Sequence, residues 1–396
     1  MLRFSKNAKS MRSSEIRELL SIAVRPDMIS FAGGMPNNDL FPVQELDDIY
    51  SRLSTAEKQV GFQYGPTPGH PPLLKSLAQF LLSKGLPVEQ NRLMITTGSL
   101  QAINLLTKVF IDPGDKVITE DPCFIGAITA FKSYQAHFCP VDLDEDGITL
   151  HKLEKTLAHH ADARLLYLTL NFHNPAGLIY SLERRRAILE MLHHRSLVLI
   201  EDDAYNDLYF SEADREKTTP LKAMGKEPVP ICYVGSFSKI FGPGMRLGWI
   251  LAPEAIVKQC ELAKQSMDAC TSTFTQMLAH EFLSQNKLAE YLPKIRLAYQ
   301  RRCRIMLEAL QQHMPASVCW NRPIGGFYVW LKLPQEVDAT EVLQRSLNEG
   351  AVFVVGKTFD PHGHRNDHIR LAFCHTPEEK IAEGIRIVSQ AVRSFV

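Results

Sequence analysis

The chain has 396 residues, enough for one large core and a smaller one. Hydrophobic residues make up 45% and charged residues 22%, an ordinary composition for a soluble globular protein. Lys+Arg and Asp+Glu are 44 each, so the formal net charge is zero; nothing in it draws the chain to nucleic acid or an anionic membrane, and no apolar run approaches the roughly 20 residues of a membrane helix.

The N-terminal stretch holds Arg3, Lys6, Lys9 and Arg12 and no acid before Glu15. A transit peptide has this character, but with acidic residues starting so early an exposed arm is expected. The eight cysteines are scattered without a CxxC pair, which suggests neither a zinc site nor a disulfide framework and fits a reducing cytoplasm.

From residue 90 to 251, short apolar runs alternate with helix-spaced apolar positions. Strands are expected at Leu93–Thr97, Lys116–Thr119, His137–Val141, Leu165–Leu170, Leu197–Glu201, Ile231–Ser236 and Leu247–Ala252, with helices at Leu100–Ile111, Phe124–Ser133 and Leu182–His194. This alternation predicts an α/β fold, a mostly parallel seven-stranded sheet covered by helices, with ligand groups at the carboxyl ends of strands. Residues 254–314 then read as helical, including a long helix over Tyr291–His313. Strands at Phe327–Leu333, Val352–Val355 and His368–Phe373 and helices at Thr340–Asn348 and Pro377–Val392 form a smaller α+β unit.

Several strand ends carry chemistry. Gly235-Ser-Phe-Ser-Lys239 leads into a loop with Gly242, Gly244, Arg246 and Gly248. Hydroxyls, loop amides and an arginine fork suit a phosphate dianion, and a lysine beside them can form an imine with an aldehyde. A solvated surface lysine is the plain alternative. The Ser236–Lys239 spacing also matches penicillin-binding enzymes, but their S-D-N and K-T-G partners are missing. A dinucleotide loop is a weak alternative, because its spacing is one residue too long, Pro243 sits inside it and a strand rather than a helix follows.

Glu201-Asp-Asp-Ala-Tyr205 leaves an apolar strand, which suits a metal, a buried cation such as a pyridinium, or a plain polar turn. Asn171-Phe-His-Asn-Pro-Ala-Gly177 reads as a turn that could aim the Asn174 amide into the strand-end crevice. Thr96-Thr-Gly-Ser-Leu-Gln101 opens a helix, a ready anion site. Arg370, mid-strand between apolar neighbours, suits a substrate carboxylate or a structural ion pair about equally.

In order along the chain, Phe31-Ala-Gly-Gly34, Gln63-Tyr-Gly-Pro66, Gly98-Ser99, Asn174-Pro175, Asp202-x-x-Tyr205, Ser236-x-Ser-Lys239, Arg246, Gly325-Gly326 and Arg370 resemble fold-type I pyridoxal-phosphate enzymes of aminotransferase class I/II. Within that class the sequence resembles the aminoadipate/kynurenine aminotransferase branch, and also the catalytic half of MocR-type regulators. The resemblance implies pyridoxal 5'-phosphate as cofactor and a ping-pong transamination of an amino acid with a 2-oxo acid, 2-oxoglutarate being the expected acceptor. It assigns the Schiff base and proton shuttle to Lys239, the pyridine nitrogen to Asp202, and the ring oxygen to Asn174 and Tyr205. Phe124 would stack on the ring, while Ser99, the Leu100 amide, Ser236, Ser238 and Arg246 would hold the phosphate. Arg370 would clamp the α-carboxylate, with Gly34 and Asn174 lining the substrate site and Arg17 on a segment covering it. Tyr64 would reach the phosphate of a second subunit, which implies a homodimer.

The implied division is an N-terminal arm and part of the small domain over 1–45, a cofactor-binding domain over 46–290, and a small domain over 291–396. Departures from the family pattern are Leu100 for a glutamine, Phe124 for the usual stacking tyrosine, Ala176 for a threonine and His70 for a residue commonly aromatic. Two other functions share such a site: a C–S β-lyase, which starts from the same carbanion, and a regulator's effector domain, for which the N-terminus leaves only about thirty residues ahead of Phe31.

Overall fold

The computed structural model describes residues 2–5, 8, 25, 27–193, 195–225 and 229–396. Arg17 lies outside the described residues.

The central sheet contains β1 (Arg92–Thr96), β2 (Lys116–Asp121), β3 (His137–Asp144), β4 (Gly147–Ile148), β5 (Leu165–Leu168), β6 (Val198–Asp203), β7 (Ile231–Ser236) and β8 (Gly248–Ala252). Their spatial order is β1-β8-β7-β6-β5-β2-β3-β4. Strands β7, β6, β5, β2 and β3 run parallel; β8 is antiparallel to both neighbours, and β4 is antiparallel to β3. The seven expected strands are present. The eighth, β4, is a two-residue return of the chain onto β3, too short to carry any periodicity.

Helices cover both faces, which is why every residue of β6 is buried. Side chains alternate across the strand. Val198 and Ile200 join an apolar cluster with Ala102, Ile103 and Leu106 of α1 (Ser99–Phe110) and Ala127 and Phe131 of α2 (Ile125–Ser133). Leu199 faces the other way, toward Ile188 and Leu192 of α3 (Leu182–Leu192). Strand β5 stops at Leu168, short of Leu170, because the Thr169 N–H donates to the Glu120 carboxylate (3.0 Å) and leaves the ladder.

The smaller unit is an antiparallel sheet of β9 (Cys319–Trp320), β10 (Tyr328–Lys332), β11 (Val354–Val355) and β12 (His368–Ala372), ordered β9-β10-β12-β11. Two long helices flank it. α4 (Lys287–His313) starts upstream of the expected Tyr291 and carries Pro293 inside it. α5 (Glu378–Arg393) buries Ile381, Ile385, Val388 and Val392, one stripe at helical spacing. The stretch expected as one strand over Val352–Val355 divides at the buried Phe353. Ala351–Val352 pairs in parallel with Ile29–Ser30, while Val354–Val355 joins Arg370–Ile369 of β12. That division ties the segment leading to Gly34 to the smaller sheet and holds Arg370 between Trp330 and Val354.

Candidate active site

Strand β7 ends at Ser236, whose Oγ accepts the Ser238 N–H (3.1 Å) and tightens the turn. Phe237, Ile240 and Phe241 are buried around it, which fixes the backbone on both sides of Lys239. The Lys239 amine donates to the Gly34 carbonyl (2.8 Å) and lies 5.7 Å from each of the Tyr205 and Phe327 ring centres. Loss of water around this ammonium pulls its pKa down from 10.5 to about 8. Lys239 shares one cavity with Ser99, Phe124, Asn174, Asp202, Tyr205, Ser236, Ser238, Arg370 and Gly34. Most of the residues singled out in the sequence therefore converge, and the surface-lysine alternative fails.

Asp202 lies inside β6 and not beyond its end. The Tyr167 hydroxyl donates to its Oδ2 (2.6 Å), while Oδ1 is buried without a hydrogen-bond partner among the described residues. Burial raises the carboxyl to about 7, opposed by the Tyr167 hydrogen bond. The flanking carboxylates go elsewhere. Glu201 takes the N–H groups of Leu221 (2.6 Å) and Lys222 (2.9 Å), and Asp203 takes the Asn171 amide (2.9 Å) and the Tyr233 hydroxyl (3.0 Å). Among the described residues no group of three metal-binding side chains converges.

Arg370 is buried, and its guanidinium donates to Asn174 Oδ1 (3.0 Å) and to the Ala32 carbonyl. Its carbon lies 4.6 Å from the Tyr328 ring centre and 4.8 Å from that of Phe359, and its Nε has no hydrogen-bond partner among the described residues. Burial lowers its pKa. Among the described residues no carboxylate pairs with it, so the structural ion pair is ruled out there; a buried guanidinium short of an anion is primed to take one from a ligand.

Next to Ser99, which lines the cavity, Gly98 (φ +79°) caps α1; neither Gly98 nor the exposed Arg246 lines the cavity itself. A β-carbon on Gly98 would come within 2.7 Å of Arg246 Nη2, and one on Gly248 within 2.6 Å of Gly98. Arg246 holds the Thr97 carbonyl (3.2 Å). Backbone, helix N-terminus and guanidinium thus meet in one cup beside Ser99. Leu100 points its side chain outward, 43% exposed, and Gln101 instead anchors the cup by accepting the Thr97 N–H (2.7 Å). Tyr64 is 85% exposed and does not line this chain's cavity.

Met35, Ile125, Thr169, Ala204 and Tyr328 also line the cavity, and none of them stood out in the sequence. Glu120 was also missed, although, like Glu201 to Asp203, it is a carboxylate ending an apolar strand. It accepts from Thr169 N–H, from Tyr180 Oη (2.6 Å) and from His173 Nε2 (3.1 Å); His173 Nδ1 in turn takes the Ala176 N–H (3.1 Å). This buried network holds the turn that presents Asn174. Glu120→Ala is expected to lower stability by about 3 kcal/mol, because several buried donors lose their acceptor together. The urea midpoint checks this; an unchanged midpoint would contradict it.

Residues 26–388 match the family model of aminotransferase class I and II. The chain is 38% identical over 394 residues to the 2-aminoadipate transaminase of Thermus thermophilus, covering 99% of this chain and 97% of that one. It is 36% identical over 395 residues to aromatic-amino-acid aminotransferase 1 of Thermococcus litoralis, covering 98% and 94%. The crystal structure of Pyrococcus horikoshii kynurenine aminotransferase superposes with a TM-score of 0.95 at 36% identity, covering 99% and 97% of the two chains.

Proposed function

This chain belongs to the class I and II aminotransferase family, and from that premise we propose that Lys239 is the residue on which its reaction turns. Its activity is pyridoxal-phosphate-dependent transfer of an amino group from an amino acid to a 2-oxo acid. The observation that carries the assignment of residues is the partnerless Asp202 Oδ1, buried in the same cavity as the Lys239 amine and the Arg370 guanidinium. A cationic N–H donor fits that oxygen and a dianion fits the Gly98–Arg246 cup; pyridoxal phosphate carries both.

In this reading Asp202 holds the pyridine nitrogen protonated, and Ser99, the Leu100 amide, Ser236, Ser238 and Arg246 hold the phosphate. Phe124 stacks on the ring, and Asn174 and Tyr205 meet its oxygen. What the bound cofactor supplies is an aldehyde for the amine and a ring that accepts the electron pair left at the α-carbon. Arg370 fixes the substrate carboxylate with a planar fork. The Lys239 Nζ, freed by the incoming amine, takes the α-proton and returns it on the other side of the exchange; its pKa of about 8 keeps part of it neutral at physiological pH.

Incubation with an amino acid alone tests the reaction type. The expected outcome is a single turnover that stops with the amino group on the cofactor; continued release of pyruvate and ammonia would mark a C–S lyase. The donor's side chain is proposed to lie against Met35, Phe124, Ile125 and Tyr328, a wall that suits aromatic and other apolar donors. A panel of donors against 2-oxoglutarate and pyruvate should rank aromatic donors first, and a preference for acidic donors would contradict it.

Arg370→Lys should raise the donor KM about 100-fold while kcat falls less, because a point charge replaces a bidentate fork. Steady-state kinetics check this, and an unchanged KM would refute the carboxylate role. The pH dependence follows from Lys239. Its folded pKa is lowered, so the neutral amine becomes dominant as pH rises through about 8. The rate at which stripped protein recovers its visible absorbance on adding pyridoxal phosphate should rise with a midpoint near 8, and a midpoint near 10.5 would contradict it.

We further propose a homodimer in which Tyr64 completes the second subunit's phosphate site. Support comes from the exposed run of Val60 (51%), Phe62 (76%) and Tyr64 (85%), unusual for a free surface. We divide the chain into a cofactor-binding domain over 46–290 and a small domain over 291–396 joined by the N-terminal segment. Eight free cysteines, mostly buried, support a reducing cytoplasm, with no nucleic-acid or membrane partner proposed. No described helix is long and apolar enough to cross a membrane.

A further inference from the structure

Tyr328 opens β10 on the smaller sheet yet touches three parts of the candidate site. Its hydroxyl lies 2.9 Å from the Tyr205 hydroxyl, and both side chains are buried. Its ring supports the Arg370 guanidinium at 4.6 Å. Gly34, whose carbonyl receives the Lys239 amine, packs so closely that a β-carbon there would lie 2.0 Å from the Tyr328 hydroxyl oxygen. A tyrosine used only for packing would not need a buried hydroxyl aimed at another hydroxyl.

We propose that Tyr328 is a positioning residue that tunes Tyr205 as a hydrogen-bond donor to the cofactor. The inference rests on the reading that Tyr205 meets the ring oxygen. A hydroxyl has one proton to give. When Tyr205 gives its proton to a negatively charged ring oxygen, its own oxygen becomes the acceptor for the Tyr328 hydroxyl. The two hydroxyls then form a chain in which the outer bond polarises the inner one. Charged and titratable groups facing Tyr205 from the other packed elements are Arg370 on β12, Cys374 just beyond it, and Lys239 on the loop after β7. Only Tyr328 reaches the Tyr205 hydroxyl by a hydrogen bond among the described residues.

Drawing charge from the ring oxygen lowers the proton affinity of the imine nitrogen beside it. Tyr328→Phe keeps the ring under Arg370 and removes only the hydroxyl, so Tyr205 donates more weakly. The pH midpoint of the bound cofactor's visible band should rise by about half a unit, with a larger rise in Tyr205→Phe. Adding Tyr328→Phe to Tyr205→Phe should move the midpoint no further, since the chain is already broken. Equilibrium titration of stripped protein with pyridoxal phosphate should give a dissociation constant for Tyr328→Phe raised less than that for Tyr205→Phe. An unmoved midpoint in Tyr328→Phe, with Tyr205→Phe shifted, overturns the proposal alone. A further shift in the double variant also overturns it. An unmoved midpoint in Tyr205→Phe overturns the underlying reading of Tyr205.

Discussion

Lys239→Ala is expected to fold normally, to bind pyridoxal phosphate, and to lose about 10⁴-fold or more of kcat together with the visible absorbance of the bound cofactor. Folding should survive because the anchors of this loop are Phe237, Ile240 and Phe241, all buried, while the amine itself makes one hydrogen bond to Gly34. Binding should persist because the cup of Gly98, Ser99 and Arg246 proposed for the phosphate does not use the lysine amine. The chemistry should fail twice over: no amine is left to join the aldehyde, and none to carry the proton. Absorbance spectra, cofactor titration and turnover separate these effects. Full turnover in the alanine variant would remove Lys239 from the mechanism.

The second large effect is expected at Asp202. Asp202→Asn retains size but cannot balance a positive ring nitrogen, so kcat should fall about 10³-fold with a smaller change in donor KM. Burial has already raised this carboxyl to about 7, so a cation beside Oδ1 stabilises a charge that the fold otherwise penalises. The variant should therefore also hold the cofactor more weakly, as read by equilibrium titration. Less than a tenfold loss of kcat would mean that Asp202 does not govern the ring nitrogen.

Features set by neighbours along the chain were legible in the sequence, and those set by distant residues were not. Strand positions were legible because buried parallel strands are continuous apolar runs, and the chemistry sat at their carboxyl ends: Asn174 past β5, Asp202 near the end of β6, Ser236 closing β7. Tyr167 was not legible. In Leu165–Leu168 it reads as one more core residue, and only the pairing of β5 with β6, which sets Tyr167 against Ile200, brings its hydroxyl to Asp202. Tyr328 was hidden for the same reason, since its partner lies 123 residues away. Glu120 was missed because its contacts with Thr169, His173 and Tyr180 exist only once β2, the end of β5 and the Asn174 turn are side by side. The loop itself pointed Arg246 toward a phosphate, whereas at Arg370 the residues left a substrate carboxylate and an ion pair even, and only the resemblance to a known family implied the first. The structure then added that Arg370 lacks an ionic partner among the described residues. Val352–Val355 misled because four consecutive apolar residues look like one strand, while the buried Phe353 marks where the chain changes sheets.

The most direct test of the central claim is to reduce the purified, cofactor-loaded protein with borohydride and map the modified peptide by mass spectrometry. The expected result is a phosphopyridoxyl group on Lys239 and on no other lysine. A label on a different lysine, or a cofactor released unattached, would contradict it.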